Sequence, residues 1–378
     1  MSITGFNKEL AVGLSAALLI LAFVFPPAVD TSWTQIANAR FGMAMLAGVL
    51  ILSMIRSTGQ AIVLVAQLLL FLSALRVAIE IVHLDAISGQ AQSGLWFWVA
   101  ALGFAAWHVM KRLSSQKNDG TAFVAACRIL VPILLGVWLL ALWELITIGF
   151  DIPRVLLPAP SLVGQAIGES LSVLAADFQQ TVIRAVIPGF LLGNLAGFGA
   201  ALAADRWQFL GRGLLPVGNL VSAIPIIGIA PIMVMWFGFD WQSKAAVVVI
   251  MTFFPMLVNT ISGLKSSTAI ELDLMRAVGA SHWQSFTRVR LPNALPFIFN
   301  ALKINSALAL IGAIVAEFFG TPIVGMGFRI STEVGRMNME MVWASIAVAA
   351  VSGSLFYGLL AIAERRATFW HASFRRLP

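Results

Sequence analysis

The sequence predicts an all-α, polytopic integral membrane protein with about ten transmembrane helices. Three observations carry that expectation. Of 378 residues, 60% are hydrophobic and 11% charged, against roughly 45–50% and about 25% in ordinary globular chains. The apolar residues gather in runs close to the ~20 residues that cross a bilayer. Lys and Arg concentrate between alternate runs, as cytoplasmic loops of membrane proteins require.

The first four runs, at about 10–29, 41–56, 61–82 and 95–110, form one group. Only Lys8, beside Glu9, precedes the first run, and Pro26-Pro27 follows where a cleavage site would need small residues. It therefore reads as a retained anchor rather than a signal peptide. In the third run Arg76 and Glu80 stand one helical turn apart, a spacing that suits an ion pair gluing the bundle from inside. The polar stretch KRLSSQKNDGT at 111–121 ends the group. Residues 1–120 are thus read as an N-terminal extension and 121–378 as a second domain of six runs, at about 129–149, 182–204, 214–237, 245–264, 297–316 and 342–362.

With both termini in the cytoplasm, sixteen of the twenty-four Lys and Arg residues fall on the inner side and six on the outer. Arg76 and Lys303 lie within spans. The bias sets the orientation and places residues 265–296 inside, at the cell's inner (plasma) membrane.

The net charge of +7 follows from that topology. No basic stripe is interleaved with stacking aromatics, so nucleic acid is not expected as a partner. The single cysteine, Cys127, excludes an internal disulfide and a thiolate metal cluster. No lysine follows a glycine, so a phosphate-binding loop ending in Gly-Lys-Ser/Thr is absent. His83, His108, His282 and His371 form no HExxH motif, and no GxSxG occurs. No catalytic residue, metal site or cofactor is expected on this chain.

Transport remains. Gly218, Pro225, Gly228 and Pro231 interrupt the run at 214–237, and Pro255 the next. Within lipid such breaks are tolerated where freed backbone groups face protein or a wet cavity. Asn219, Ser222, Pro225, Asn259, Asn305 and Glu317 are the candidates for a translocation path, although Asn and Ser in spans serve equally as interhelical glue.

The most polar interruption of the second domain is ELDLMRAVGASHWQSFTRVRLPNALPF at 271–297. Thr268 with Glu271, and Ser281 with Gln284, have capping-box spacing and encode two helix starts. Gly279 between them suits a left-handed helix terminus, and Pro292 is expected to stop the second helix. Ile270, Leu274 and Val278 recur every four residues as one apolar stripe, with Asp273 beside it. A stripe this short is stabilised only by burial against something else.

Asp273, Gly279, Val289, Leu291 and Pro292 follow one another at the spacing of the EAA loop of ABC-importer membrane subunits, which this stretch resembles. Gly279, Leu291 and Pro292 match that motif; Asp273, Leu274, Met275 and Val289 replace its Glu, two Ala and Ile. From about Leu157 onward the chain is similar to permeases of the nitrate, sulfonate, taurine and bicarbonate importers, through LPAPSLV at 157–163, IPIIGIAPIMVMWFGF at 224–239, FFPMLVNT at 253–260 and ALALIGAIVAEFFG at 307–320. The resemblance implies a type I permease core of six helices preceded by four extra helices. It also implies a homodimer, a separate ABC ATPase carrying ATP and Mg, and an external or periplasmic substrate-binding protein. Ile270, Asp273, Leu274, Val278, Gly279, Leu291 and Pro292 would couple the permease to the ATPase. The cargo would be a small anion of the nitrate, sulfonate or taurine kind, or a vitamin precursor. An ion-gradient-driven secondary transporter and a non-transporting membrane scaffold are the alternatives.

Overall fold

The computed structural model describes residues 3–29, 31–36, 38–54, 60–115, 122–222, 224–320 and 322–370. Among these the regular structure is helical: α1 Ile3–Val24, α2 Ala39–Met54, α3 Gln60–Val82, α4 Ser93–Ser114, α5 Ala122–Gly149, α6 Pro160–Glu169, α7 Leu171–Phe178, α8 Ile187–Arg206, α9 Gln208–Ser222, α10 Ile226–Phe237, α11 Trp241–Leu264, α12 Ala269–Ala277, α13 His282–Ser285, α14 Leu291–Glu317, α15 Met326–Gly335 and α16 Met339–Ala367. Two π-helical segments, Gln179–Val186 and Phe286–Arg290, splice α7 to α8 and α13 to α14. The apolar runs read from the sequence fall largely on helices, the run at 214–237 being divided between α9 and α10. Among the described residues seven helices, against the ten expected, are long and apolar enough to cross a membrane, and shorter apolar helices lie at Val12–Val24, Ala39–Ser53 and Ile226–Phe237.

The chain divides into two compact units, Met1–Gly164 and Gln165–Pro378. In the first, α1 packs on α4 and α2 on α3. The indole of Trp33 donates to the carbonyls of Ala22 and Phe25 at 2.6 and 2.8 Å and meets Trp98 edge-on. These bonds occupy carbonyls at and just beyond the end of α1, where the last turn has no helical partners. Arg76 and Glu80 do pair, at 2.8 Å, but on the outside of the unit, with 81% and 42% of their side chains exposed. The expectation of an internal brace is corrected. The face of α3 that packs inward carries Phe71, Ala74, Leu75, Ala78 and Val82, and Arg76 and Glu80 fall opposite it. Among the described residues of this unit Glu144 of α5 is a buried acid. It lies 3.0 Å from His83 and accepts from the Ser161 amide at the start of α6.

In the second unit α11 lies between α8 and α14. Glycines make the close approach possible: a Cβ at Gly189, Gly193 or Gly197 would collide with Ala245, Thr252 or Phe253 across the helix interface. Small residues at such crossings let backbones approach and gain dispersion contact, the main attraction available between helices in lipid. The run at 214–237 is broken as expected. Pro225, with extended ψ of 126°, caps α10, while Pro216 and Pro231 lie inside α9 and α10.

Candidate functional site

The stretch between α11 and α14 forms two capped helical pieces hinged at a glycine. Both capping boxes are complete. The Thr268 hydroxyl accepts from the Glu271 amide at 3.3 Å while Glu271 accepts from the Thr268 amide at 2.8 Å. Ser281 and Gln284 repeat the exchange at 3.2 and 2.8 Å. Gly279 has φ of +69°, and the Ala280 amide reaches back to the Met275 carbonyl at 2.9 Å, closing α12 with the left-handed terminus that glycine suits.

Pro292 does not stop the second piece. From His282 to Glu317 the chain is one continuous rod, with Pro292 in the first turn of α14. The π segment Phe286–Arg290 explains why. Its wider turn has the Leu291 amide bonding to Phe286, so the backbone register is already shifted just where proline brings no N–H of its own. Gly279 is left as the hinge between α12 and the continuous helix from His282 to Glu317.

The stripe is bare. Ile270, Leu274 and Val278 are 82%, 62% and 68% exposed, and Trp283 beyond the hinge is 69% exposed. No residue of α12 is buried. Among the described residues nothing covers the stripe itself, while Glu271, Leu272 and Met275 on the rest of α12 are half-buried. Asp273 beside the stripe pairs with Arg276 at 2.9 Å, and both are exposed.

The root of the element is held firmly, in part by Arg290, Asp205 and Asn293, which the sequence reading did not single out. The Arg290 guanidinium grips Asp205 at the end of α8 with two bonds, 2.9 and 2.6 Å, and also donates to the Leu264 carbonyl. Asn293 donates to Glu271 at 3.0 Å. Leu291 packs beside the buried Met256, Leu264 and Ile298. A bidentate Arg–carboxylate pair fixes orientation as well as distance. α12 thus presents an uncovered apolar face on an anchored base.

Gly279 offers a graded test of the hinge. A side chain there would meet nothing within 4 Å, so any cost is backbone strain, about 1–2 kcal/mol for a residue with a Cβ. Gly279→Asn, which tolerates this conformation, should keep function; Gly279→Val should lose most transport while membrane insertion persists. Uptake and membrane-fraction immunoblots of the two variants check this. Equal uptake would remove the hinge from the mechanism.

The path candidates do not assemble at one point. Pro225 marks the α9–α10 break, and the side chains of Asn219 and Ser222 lie outside the described residues. Asn259 donates to the Pro255 carbonyl at 2.8 Å and meets Asn300 at 3.4 Å. Asn305 is fully buried and ties α14 to α8 through Asn194 at 2.6 Å and to α11 through the Thr252 carbonyl at 2.8 Å. Glu317 is buried at the far end of α14, accepting from the Thr181 hydroxyl at 2.8 Å and the Gly327 amide at 2.6 Å.

Around Glu317 lies a network that the sequence reading also missed. Asp177 accepts from Arg329 and from the Gly325 amide, both at 2.8 Å. Lys244 donates to the carbonyls of Phe239 and Gly320. Asp240, capping α11, accepts from Gln180 at 3.0 Å and from the Trp241 amide at 2.8 Å, bonds that hold its carboxyl below the usual range. Together these bonds tie Gly325, Gly327 and Arg329 to Asp177 and, through Glu317, to Thr181 of the π-helical stretch. Among the described residues no group of His, Cys, Asp and Glu could hold a metal ion.

Comparison with known proteins matches residues 165–369 to the model of the binding-protein-dependent transport system inner membrane component. The riboflavin transport system permease protein RibX of Chloroflexus aurantiacus is 31% identical over 62% of this chain and 88% of its own length. The formylaminopyrimidine transport permease protein ThiX of Halalkalibacterium halodurans is 32% identical, over 61% and 92%. The taurine transport system permease protein TauC of Escherichia coli is 29% identical, over 52% and 70%.

Proposed function

The chain belongs to the binding-protein-dependent transport system inner membrane component family, and from that premise we propose how this permease subunit of an ABC importer is driven. A separate ABC ATPase grips α12 by the stripe Ile270, Leu274 and Val278, with Asp273 and Arg276 at the rim. A second copy of the chain completes the pathway, and an external binding protein delivers a small solute. ATP and Mg reside on the ATPase. When the paired ATPases close, α12 moves, and the rod from His282 to Glu317 carries that motion through the second unit. The names of the relatives, with riboflavin, formylaminopyrimidine and taurine as their solutes, support a small anion or a vitamin precursor as the cargo. The observation that carries the reading is an apolar helix face left bare on an anchored, capped element. An apolar face with a charged rim is what a groove-binding partner recognises.

Two measurements test it. In proteoliposomes, solute uptake should require ATP and the ATPase chain, and loaded binding protein should stimulate hydrolysis. Uptake that survives ATP depletion and collapses with an uncoupler would instead identify a gradient-driven carrier. For orientation, Val278→Cys in a Cys127→Ala background should react with a membrane-impermeant maleimide only in inside-out vesicles. Labelling from the outer face of intact cells would refute docking, because no cytoplasmic ATPase reaches that side.

A further inference from the structure

On the face that the charge bias assigns to the cytoplasm, the ends of α8 and α11 and the start of α9 enclose a cavity of about 640 Å³. Its wall includes Asp205, Arg212, Lys265 and Arg290, over an apolar floor of Pro216 and Ile261. Charge accounting separates these groups. Asp205 is already consumed by the two bonds from Arg290, and the rest of that guanidinium is turned to the Leu264 carbonyl. Arg212 and Lys265 make no side-chain hydrogen bond or ion pair among the described residues. Two cations thus line one cavity with no counter-ion of their own.

The topology rule explains why cations lie on this face, but it is satisfied equally by solvated ones such as Arg365 and Arg366. It does not ask that two of them share a cavity with an apolar floor. Beside that cavity, in the α8–α9 turn and the first turn of α9, Trp207 and Phe209 are 55% and 73% exposed. Exposed aromatics of this kind sit at the headgroup level of a bilayer. Arg212 and Lys265 are themselves exposed, but the cavity they share fits an anion at membrane depth whose apolar portion would lie over Pro216 and Ile261.

We propose that this cavity binds the phosphodiester of an anionic phospholipid of the inner leaflet, with Arg212 and Lys265 on the phosphate. Lys265 is the residue that follows α11, three positions before the Thr268 cap of α12. A bound phosphate would tie α9 to the root of the docking element and restrain the base on which α12 moves. The chemistry shared with other sources is a phosphate oxyanion; lipid is favoured by the apolar floor and the flanking aromatics. The inference rests on the orientation adopted above, but lipid binding is read without transport, so failure of one is distinguishable from failure of the other.

The test uses the purified, delipidated full chain and native mass spectrometry with phosphatidylglycerol, phosphatidylcholine or inorganic phosphate. Phosphatidylglycerol should bind in preference to phosphatidylcholine. Taking each cation that contacts the lipid phosphate as worth about a fivefold change in binding, Arg212→Gln with Lys265→Gln should weaken phosphatidylglycerol by about 30-fold. The charge-matched pair Arg365→Gln with Arg366→Gln should change it by less than about twofold, as solvated surface charges do. Arg212→Lys with Lys265→Arg should keep the preference and shows that loss is not misfolding. Equal loss in both Gln pairs, or none in the cavity pair, overturns the site. Inorganic phosphate bound as tightly as phosphatidylglycerol overturns the lipid.

Discussion

Ile270→Glu with Leu274→Glu should abolish transport and release the ATPase while leaving the permease folded. Both side chains are mostly exposed and no residue of α12 is buried, so within the chain the substitution removes no packing and buries no charge. Glutamate is also a better helix former than isoleucine, which keeps α12 intact. In the proposed complex the same positions would enter an apolar groove, where an unpaired carboxylate must be desolvated. Interface anchors of this kind cost about 2–4 kcal/mol when lost, or on the order of 30- to 900-fold in affinity. Co-purification of the ATPase with the permease, and uptake in proteoliposomes, should both fall to background, while the elution profile and helicity of the permease match the parent. Asp273→Asn at the exposed rim should cost far less, because a surface pair such as Asp273–Arg276 contributes at most about 1 kcal/mol. Retained association in the double glutamate variant would place the ATPase elsewhere.

Much of this arrangement was legible in the sequence because its determinants are local. A capping box is written in four residues, and an apolar span in about twenty. The two caps, the glycine terminus and the helical runs are therefore read directly. The rod through Pro292 was not legible, since proline ordinarily reads as a breaker and the π segment that admits it leaves no simple pattern. The outward face of Arg76–Glu80 depended on which side of α3 packs, which spacing alone does not fix. The braces were hidden for another reason: Arg290 and Asp205 are 85 residues apart, and Arg329 and Asp177 are 152 apart. In sequence each looks like a loop charge, and only folding reveals the partner.

The Arg329–Asp177 pair is where the largest stability loss is expected. Asp177 has no exposed side-chain surface, and its two oxygens are occupied by Arg329 and the Gly325 amide. Arg329→Met keeps the bulk of the side chain but leaves the carboxylate buried beside a single amide. Breaking a buried pair from one side costs about 3–5 kcal/mol, more than a well-packed pair contributes over an apolar substitute, because the remaining charge stays desolvated. Asp177→Asn with Arg329→Met removes both charges, and the carboxamide oxygen can still accept from the Gly325 amide, so the double variant should be more stable than the Arg329→Met single. That inversion is the signature sought: in thermal unfolding of the detergent-purified protein, the single variant should melt well below the parent and the double should recover part of the loss. A double variant that is the sum of its two singles would mean the charges act independently. Because the same segment carries the Gly327 amide that donates to Glu317, loosening it should also free the end of α14 farthest from α12. The expected phenotype is a permease that still binds its ATPase but hydrolyses ATP without moving solute.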